Sequence, residues 1–130
     1  MMMRTLLVAD DNRLSRELIR DVLEGAGCRV VEAANGEEAL ARVEDANPDL
    51  VLLDIEMPLM DGFSVLSEFR NNPRLAGLPV IAITAKGMQP DRERIAAAGF
   101  DDCLIKPISA AELRKRVGEL LDRCRKGEGR

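Results

Sequence analysis

Five short apolar runs, each followed by a stretch of helical periodicity, constrain this chain more than any other feature. The runs are Thr5–Ala9, Arg29–Ala33, Leu50–Leu53, Leu78–Thr84 and Asp102–Ile105. All are short enough for strands and too short for ordinary helices. Between and after them apolar residues recur at helical spacing. Leu14, Leu18, Val22 and Ala26 stand four apart, with Ile19 and Leu23 beside them. Later stripes are Ala39, Leu40 and Val43, then Phe63, Leu66 and Phe69, then Leu113, Val117, Leu120, Leu121 and Cys124. Strict alternation of strand and helix implies a parallel sheet, because parallel neighbours are joined by crossovers. Right-handed crossovers place helices on both faces. The expectation is an α/β, doubly wound domain of five parallel strands and five helices. It occupies residues 1–130 as a single unit, with a core from about 4 to 124 and a polar tail over 125–130. A chain of this length buries enough surface for one core without disulfide or metal staples.

The punctuation agrees with the periods. Gly25 and Gly27 close the first helix. Asn35 caps the second, with Glu38 three residues on as its capping-box partner, and Asn47-Pro48 stops it. Asp61-Gly62 is a turn and helix start, Pro90 sits near the first position of the fourth helix, and Gly99 ends it. Ser109 and Glu112 repeat the capping box. Arg29–Ala33 is the least apolar run, which suits a sheet edge.

Composition removes several functions. A net charge of −4 gives no basic footprint for nucleic acid, and with no Trp or Tyr and only three Phe a stacking platform for single strands is not expected. The absence of histidine excludes imidazole acid–base chemistry and His-donated metal sites within the chain. Cys28, Cys103 and Cys124 match neither a zinc spacing nor a disulfide framework, which points to a reducing cytoplasm. The apolar runs are far shorter than a membrane span, and no signal peptide precedes the first strand, so no membrane partner is expected.

Chemistry gathers at the carboxyl ends of the runs, where ligands of open α/β sheets bind. The first run ends on Asp10 and Asp11, the third on Asp54, the fourth on Thr84 and the fifth on Lys106. Singly these read as turn residues, a β-branched strand end and a solvated lysine. Together they place three carboxylates, a hydroxyl and an ammonium at one edge. Neighbouring carboxylates repel and raise one another's pKa unless a cation intervenes. Mg²⁺ prefers hard oxygen ligands and takes one or two carboxylates along with phosphate oxygens. Asp54 then suits a nucleophile toward phosphorus, with Mg²⁺ and the Lys106 ammonium supplying charge to the phosphoryl oxygens and Thr84 a hydroxyl donor. No Gly-rich phosphate loop is present, so a bound nucleotide is not the expected donor.

These motifs (Asp10-Asp11, the stretch Asp54 to Gly62, Thr84-Ala85 and Lys106-Pro107-Ile108) resemble those of response-regulator receiver domains of bacterial two-component signalling. The resemblance spans residues 4 to about 124. It implies a flavodoxin-like fold of strand order 2-1-3-4-5 and Asp54 as phosphoacceptor. It implies direct Mg²⁺ ligation by Asp11, Asp54 and the backbone carbonyl of Glu56, with Asp10 acting mainly through water. It implies Thr84 and Lys106 at the phosphoryl group, and a cis bond between Lys106 and Pro107. The implied partners are a sensor histidine kinase or phosphotransfer protein and a downstream protein target. Such a module catalyses its own phosphorylation and dephosphorylation without being a turnover enzyme in the usual sense. A monomer is expected, with at most a weak dimer when phosphorylated. One position departs from the family. Three residues before the lysine, where receivers usually carry an aromatic that rotates on activation, this chain has Cys103.

The alternative, from another class, is an aspartyl-nucleophile phosphatase or phosphotransferase acting on small phosphate esters. Glu56, two residues past Asp54, supplies the second acid such enzymes use, but there is little room for a substrate cap. A further expectation sets Glu56 and Lys86 as a pair across the mouth of the site.

Overall fold

A computed structural model describes residues 3–85 and 92–126. Lys86, Gly87, Pro90 and 127–130 lie outside the described residues, as does the side chain of Cys124. The expected Glu56–Lys86 pair and the helix start at Pro90 therefore have no structural counterpart below.

Five strands form one parallel sheet: β1 (Thr5–Ala9), β2 (Arg29–Ala33), β3 (Leu50–Asp54), β4 (Val80–Ala85) and β5 (Asp102–Lys106). Their spatial order is β2-β1-β3-β4-β5, as expected, with β2 at an edge. The helices are α1 (Arg13–Gly25), α2 (Gly36–Ala46), α3 (Gly62–Asn71), α4 (Arg92–Ala98) and α5 (Ala110–Lys126). Arg125 and Lys126, expected in the tail, belong to α5. β4 starts after Pro79, which has no N–H for the ladder but whose carbonyl accepts from Val51.

The strands are apolar on both faces because both faces are covered. On one face Leu7, Val51, Leu53 and Ala82 lie beneath Val43 of α2, Val65 and Phe69 of α3, and Ile95 of α4. On the other, Leu6, Val8, Leu52 and Ile83 lie beneath Ile19 and Leu23 of α1 and Leu113, Val117 and Leu120 of α5. Phe69 is fully buried; truncating such a ring to Ala typically costs about 3–5 kcal/mol.

Helix starts follow the capping residues. Asn12, Asn35 and Asp61 accept from the N–H groups of Ser15, Glu38 and Ser64, each at 2.9 Å. The Glu38 carboxylate reaches one residue beyond the capping-box expectation and accepts from Ala34 N–H at 2.8 Å. The Ser109 hydroxyl accepts from Glu112 N–H, while the Glu112 carboxylate turns to Arg116. Gly25 lies inside α1, and Gly27, at φ +94°, supplies the left-handed exit.

The α1 stripe is a correction. Ile19 and Leu23 are buried, but Leu14 and Leu18 face solvent, 78% and 46% exposed. The row of Ile19 and Leu23 fits against the sheet and α5, with Val22 packed beside it, while the end of the other row at Leu14 and Leu18 is left outside.

Candidate functional site

Parallel strands align their carboxyl ends, so the register decides what meets there. Ala9 lies opposite Leu53, Asp54 opposite Ile83, and Ala85 opposite Lys106. Asp10 follows β1 directly, Asp54 ends β3, and Lys106 ends β5. Asp10, Asp54 and Thr84 are the buried polar residues among those described, and all three lie at this edge.

The acidic group is close-knit. Asp10, Asp11 and Asp54 each bring a carboxylate oxygen within 4.8 Å of the others. Asp54 Oδ1 accepts from Glu56 N–H at 3.0 Å, and Asp10 Oδ1 from Asn12 N–H at 2.9 Å. Lys106 Nζ stands 3.3 Å from Asp54 Oδ2 and 3.1 Å from Asp10 Oδ2. The second contact is an ion pair without hydrogen-bond alignment: Asp10 Oδ2 is fully buried and, among the described residues, accepts no hydrogen bond. Lys106 Nζ donates instead to Asp10 Oδ1 at 3.3 Å. The peptide bond between Lys106 and Pro107 is cis, as the resemblance implied.

The electrostatics follow from burial. Desolvation pushes the Asp54 carboxyl up to about 7, with the Asp10 carboxyl adding to the rise. Lys106 and the Glu56 N–H pull the other way without cancelling it. Burial pulls the Lys106 ammonium down, but the Asp54 and Asp10 carboxylates outweigh it and hold it above its ordinary value. Among the described residues, one ammonium faces three carboxylates and does not balance them. An orphaned buried oxygen inside such a cluster is what a bound divalent cation would satisfy, and an all-oxygen donor set suits Mg²⁺.

Each expected site residue has a definite place. Asp10, Asp11, Asp54 and Lys106 are brought together. Thr84 lies at the same edge, in register with Ile105. Glu56 contributes its backbone next to Asp54, while its side chain faces solvent. A cavity of about 570 Å³ opens beside Asp11 and Glu56 and is walled by Met57, Pro58 and Phe63. The ring of Phe63 stacks edge-on to Phe100 at 5.8 Å and carries the Arg94 guanidinium 4.7 Å from its centroid. Cys103 is half-buried on the α4 face, and burial pushes its thiol up, so it is no reactive thiolate.

Two features were not anticipated. Leu14 and Leu18 line a groove of about 210 Å³ with Pro107 and Ile108, directly beside Lys106. An apolar pattern too wide for one helix face was the available signal. Arg16 donates to the Asp10 carbonyl at 2.8 Å, and no sequence signal marks a bond from a helical arginine to a main-chain oxygen.

Comparison with known proteins agrees with this geometry. Residues 6–118 match the family described as the response regulator receiver domain. The chain is 37% identical over 108 residues to the polar-differentiation response regulator DivK of Brucella anthropi, covering 83% of this chain and 88% of that one. Among solved structures, a putative response regulator from Chloroflexus aurantiacus superposes with a TM-score of 0.88 at 36% identity, covering 93% and 99% of the two chains. The receiver domain of a Pseudomonas aeruginosa sensor histidine kinase, described with a magnesium ion coordinated in its active-site cleft, superposes at 0.85 with 32% identity and the same coverage. With its strand order, its acidic edge and these likenesses in agreement, the chain belongs to the response-regulator receiver domains of bacterial two-component signalling.

Proposed function

We propose that Asp54 accepts a phosphoryl group from a partner's phosphohistidine, and that the change at the site is passed to a downstream protein. The observation that supports this best is a buried carboxylate at the end of the central strand, faced by two more carboxylates and one ammonium. A buried carboxylate alone would stay protonated and inert. Asp11, Asp54 and the Glu56 carbonyl would hold Mg²⁺, with Asp10 acting through water. The bound cation supplies neutralising charge for the acid cluster and for the transferring phosphoryl oxygens.

In the transfer, an Asp54 carboxylate oxygen forms a P–O bond as the donor's P–N bond breaks. The electron pair leaves on the imidazole nitrogen, which takes a proton from water. The Lys106 ammonium pairs with one phosphoryl oxygen, and the Thr84 hydroxyl donates to another. The chain has no histidine, so the phosphohistidine belongs to another chain or domain, in this reading a sensor histidine kinase or phosphotransfer protein. The apolar groove of Leu14, Leu18, Pro107 and Ile108 beside Lys106 fits a helix of that partner. We place the reaction in the cytoplasm, with the unphosphorylated protein monomeric; no helix among the described residues is long and apolar enough to cross a membrane. The small-ester phosphatase reading is not favoured, because the family match runs through all the site residues.

Incubation with acetyl phosphate and Mg²⁺, read by intact mass, tests this. One phosphate per chain is expected, and none with a chelator or in Asp54→Asn. Equal labelling of Asp54→Asn would refute Asp54 as the acceptor, and steady release of inorganic phosphate without a labelled state would favour the phosphatase.

A further inference from the structure

Arg16 lies in the second turn of α1, yet its side chain is only 15% exposed. Its guanidinium spans two acceptors. Nε donates to Glu32 Oε1 at 2.9 Å, and Nη1 donates to the backbone carbonyl of Asp10 at 2.8 Å. Glu32 belongs to β2 and is itself held on its other oxygen by Arg20 Nη1 at 2.8 Å. Its backbone carbonyl accepts from Arg42. On the far side of the same residue, Asp10 N–H donates to the Ala33 carbonyl at 3.1 Å.

The carbonyl that Arg16 grips belongs to the peptide linking Asp10 to Asp11. The orientation of that peptide sets how the Asp11 side chain leaves the chain relative to Asp10. The ladder bond to Ala33 fixes Asp10 only on its N-terminal side. Beyond β1 the Asp10 carbonyl has left the strand, and Arg16 is what anchors it. A forked guanidinium suits this role, because two donors in a rigid plane define a direction as well as a distance. Its charge is balanced locally by Glu32, so the contribution at the acid cluster is geometric.

We infer that Arg16 is a positioning residue: anchored on Glu32, it fixes the Asp10–Asp11 peptide and so presets the two β1 carboxylates for a divalent cation. The inference rests on the metal-binding reading proposed above. Groups that orient metal ligands commonly carry 10- to 100-fold of metal affinity; acting through a backbone link, Arg16 is expected at the lower end, about tenfold.

Arg20 provides the control, since it bonds the same Glu32 without being the residue that holds Asp10. Mg²⁺ affinity is measured by isothermal titration calorimetry for wild type, Asp11→Asn, Arg16→Gln, Arg16→Lys and Arg20→Gln, with urea unfolding in EDTA alongside. Wild-type binding that is lost in Asp11→Asn upholds the metal site itself; if wild type does not bind, that reading fails and the inference about Arg16 falls with it. Arg16→Gln is expected to bind Mg²⁺ about tenfold more weakly, with acetyl phosphate labelling restored at saturating Mg²⁺. Arg20→Gln should stay within twofold of wild type. Lysine can engage only one of the two acceptors, so Arg16→Lys should fall between; it carries the decision if Arg16→Gln does not fold. Arg16 variants within twofold of wild type, or an equal loss in Arg20→Gln, would overturn the inference.

Discussion

In the metal-free protein Asp54 is held in a state that its ionisation opposes, and removing that ionisation should stabilise the fold. Its carboxyl is pushed from 3.8 to about 7, chiefly by burial and by Asp10. The folded state thus holds this proton more tightly than the unfolded state, so stability falls as pH rises between about 4 and 7. At about 1.4 kcal/mol per unit, the penalty approaches roughly 4 kcal/mol at pH 8 and roughly 2 kcal/mol at pH 5. Asp54→Asn removes this dependence and keeps an oxygen to accept from Glu56 N–H. Part of the gain is lost because the amide NH₂ has Lys106 on one side. The informative quantity is therefore the difference between pH values: the stabilisation by Asp54→Asn should be about 2–3 kcal/mol larger at pH 8 than at pH 5. Urea unfolding in EDTA measures it, followed by far-UV circular dichroism because the chain has no Trp or Tyr. Adding Mg²⁺ at pH 8 should shrink or reverse the difference, since the proposed ion would bind the native wild type and not the unfolded chain. A stabilisation equal at both pH values would refute the account of Asp54's environment.

Three further outcomes follow from the same geometry. A Cβ added at Gly62 would sit 2.6 Å from the Asp54 carbonyl oxygen and 2.9 Å from Ile55 Cα, both backbone atoms; Gly62→Ala should cost about 1–3 kcal/mol in urea unfolding and slow Asp54 labelling. Lys106→Met removes the ammonium from two carboxylates while leaving the apolar stem; metal-free stability at pH 8 should fall by about 1–3 kcal/mol, discounted for the partial exposure of the lysine, and acetyl phosphate labelling should slow at least tenfold. Beryllofluoride with Mg²⁺ should shift amide resonances in the loops around Asp11, Asp54 and Thr84 and move Asp102–Ile105 only modestly, whereas Cys103→Tyr should enlarge the β5 response; large β5 shifts in the wild type would show a switch that needs no aromatic ring.

What could be read in advance was whatever depends on local pattern plus one global rule. Asp54, Thr84 and Lys106 were legible because a parallel sheet must align its carboxyl ends, and each residue closes its own apolar run. The capping residues Asn35 and Asp61 were legible because a cap acts within one turn. The orientation of α1 was not. Leu14 and Leu18 repeat at the same spacing as Ile19 and Leu23, and periodicity cannot rank two equal rows. The rotation that buries the second row is set by packing against β1, β2 and α5, through contacts distant in sequence. Arg16 was hidden for a related reason: its partners are a glutamate sixteen residues away and a main-chain oxygen that carries no sequence identity.

The chemistry of this receiver and its read-out lie on different residues. Buried charge is tolerated here only where opposing groups stand within a few ångströms, and Asp10, Asp54 and Lys106 meet that condition through the alignment of β1, β3 and β5. Nothing in that arrangement involves Cys103, which packs, partly buried, against the cluster on the α4 face. Side chains alternate along β5, so Leu104 goes under α5 while Cys103 and Ile105 share the outer face. A small side chain at 103 leaves the acidic site intact and removes the bulk that an aromatic would bury on moving inward. A ligand shifts a two-state equilibrium only by its differential affinity for the two states. Losing that buried area narrows the difference on the β5 face alone. Phosphorylation at Asp54 should therefore proceed with full Mg²⁺ dependence while the β5 face answers weakly, and the Cys103→Tyr comparison measures how much of the switch the ring supplies.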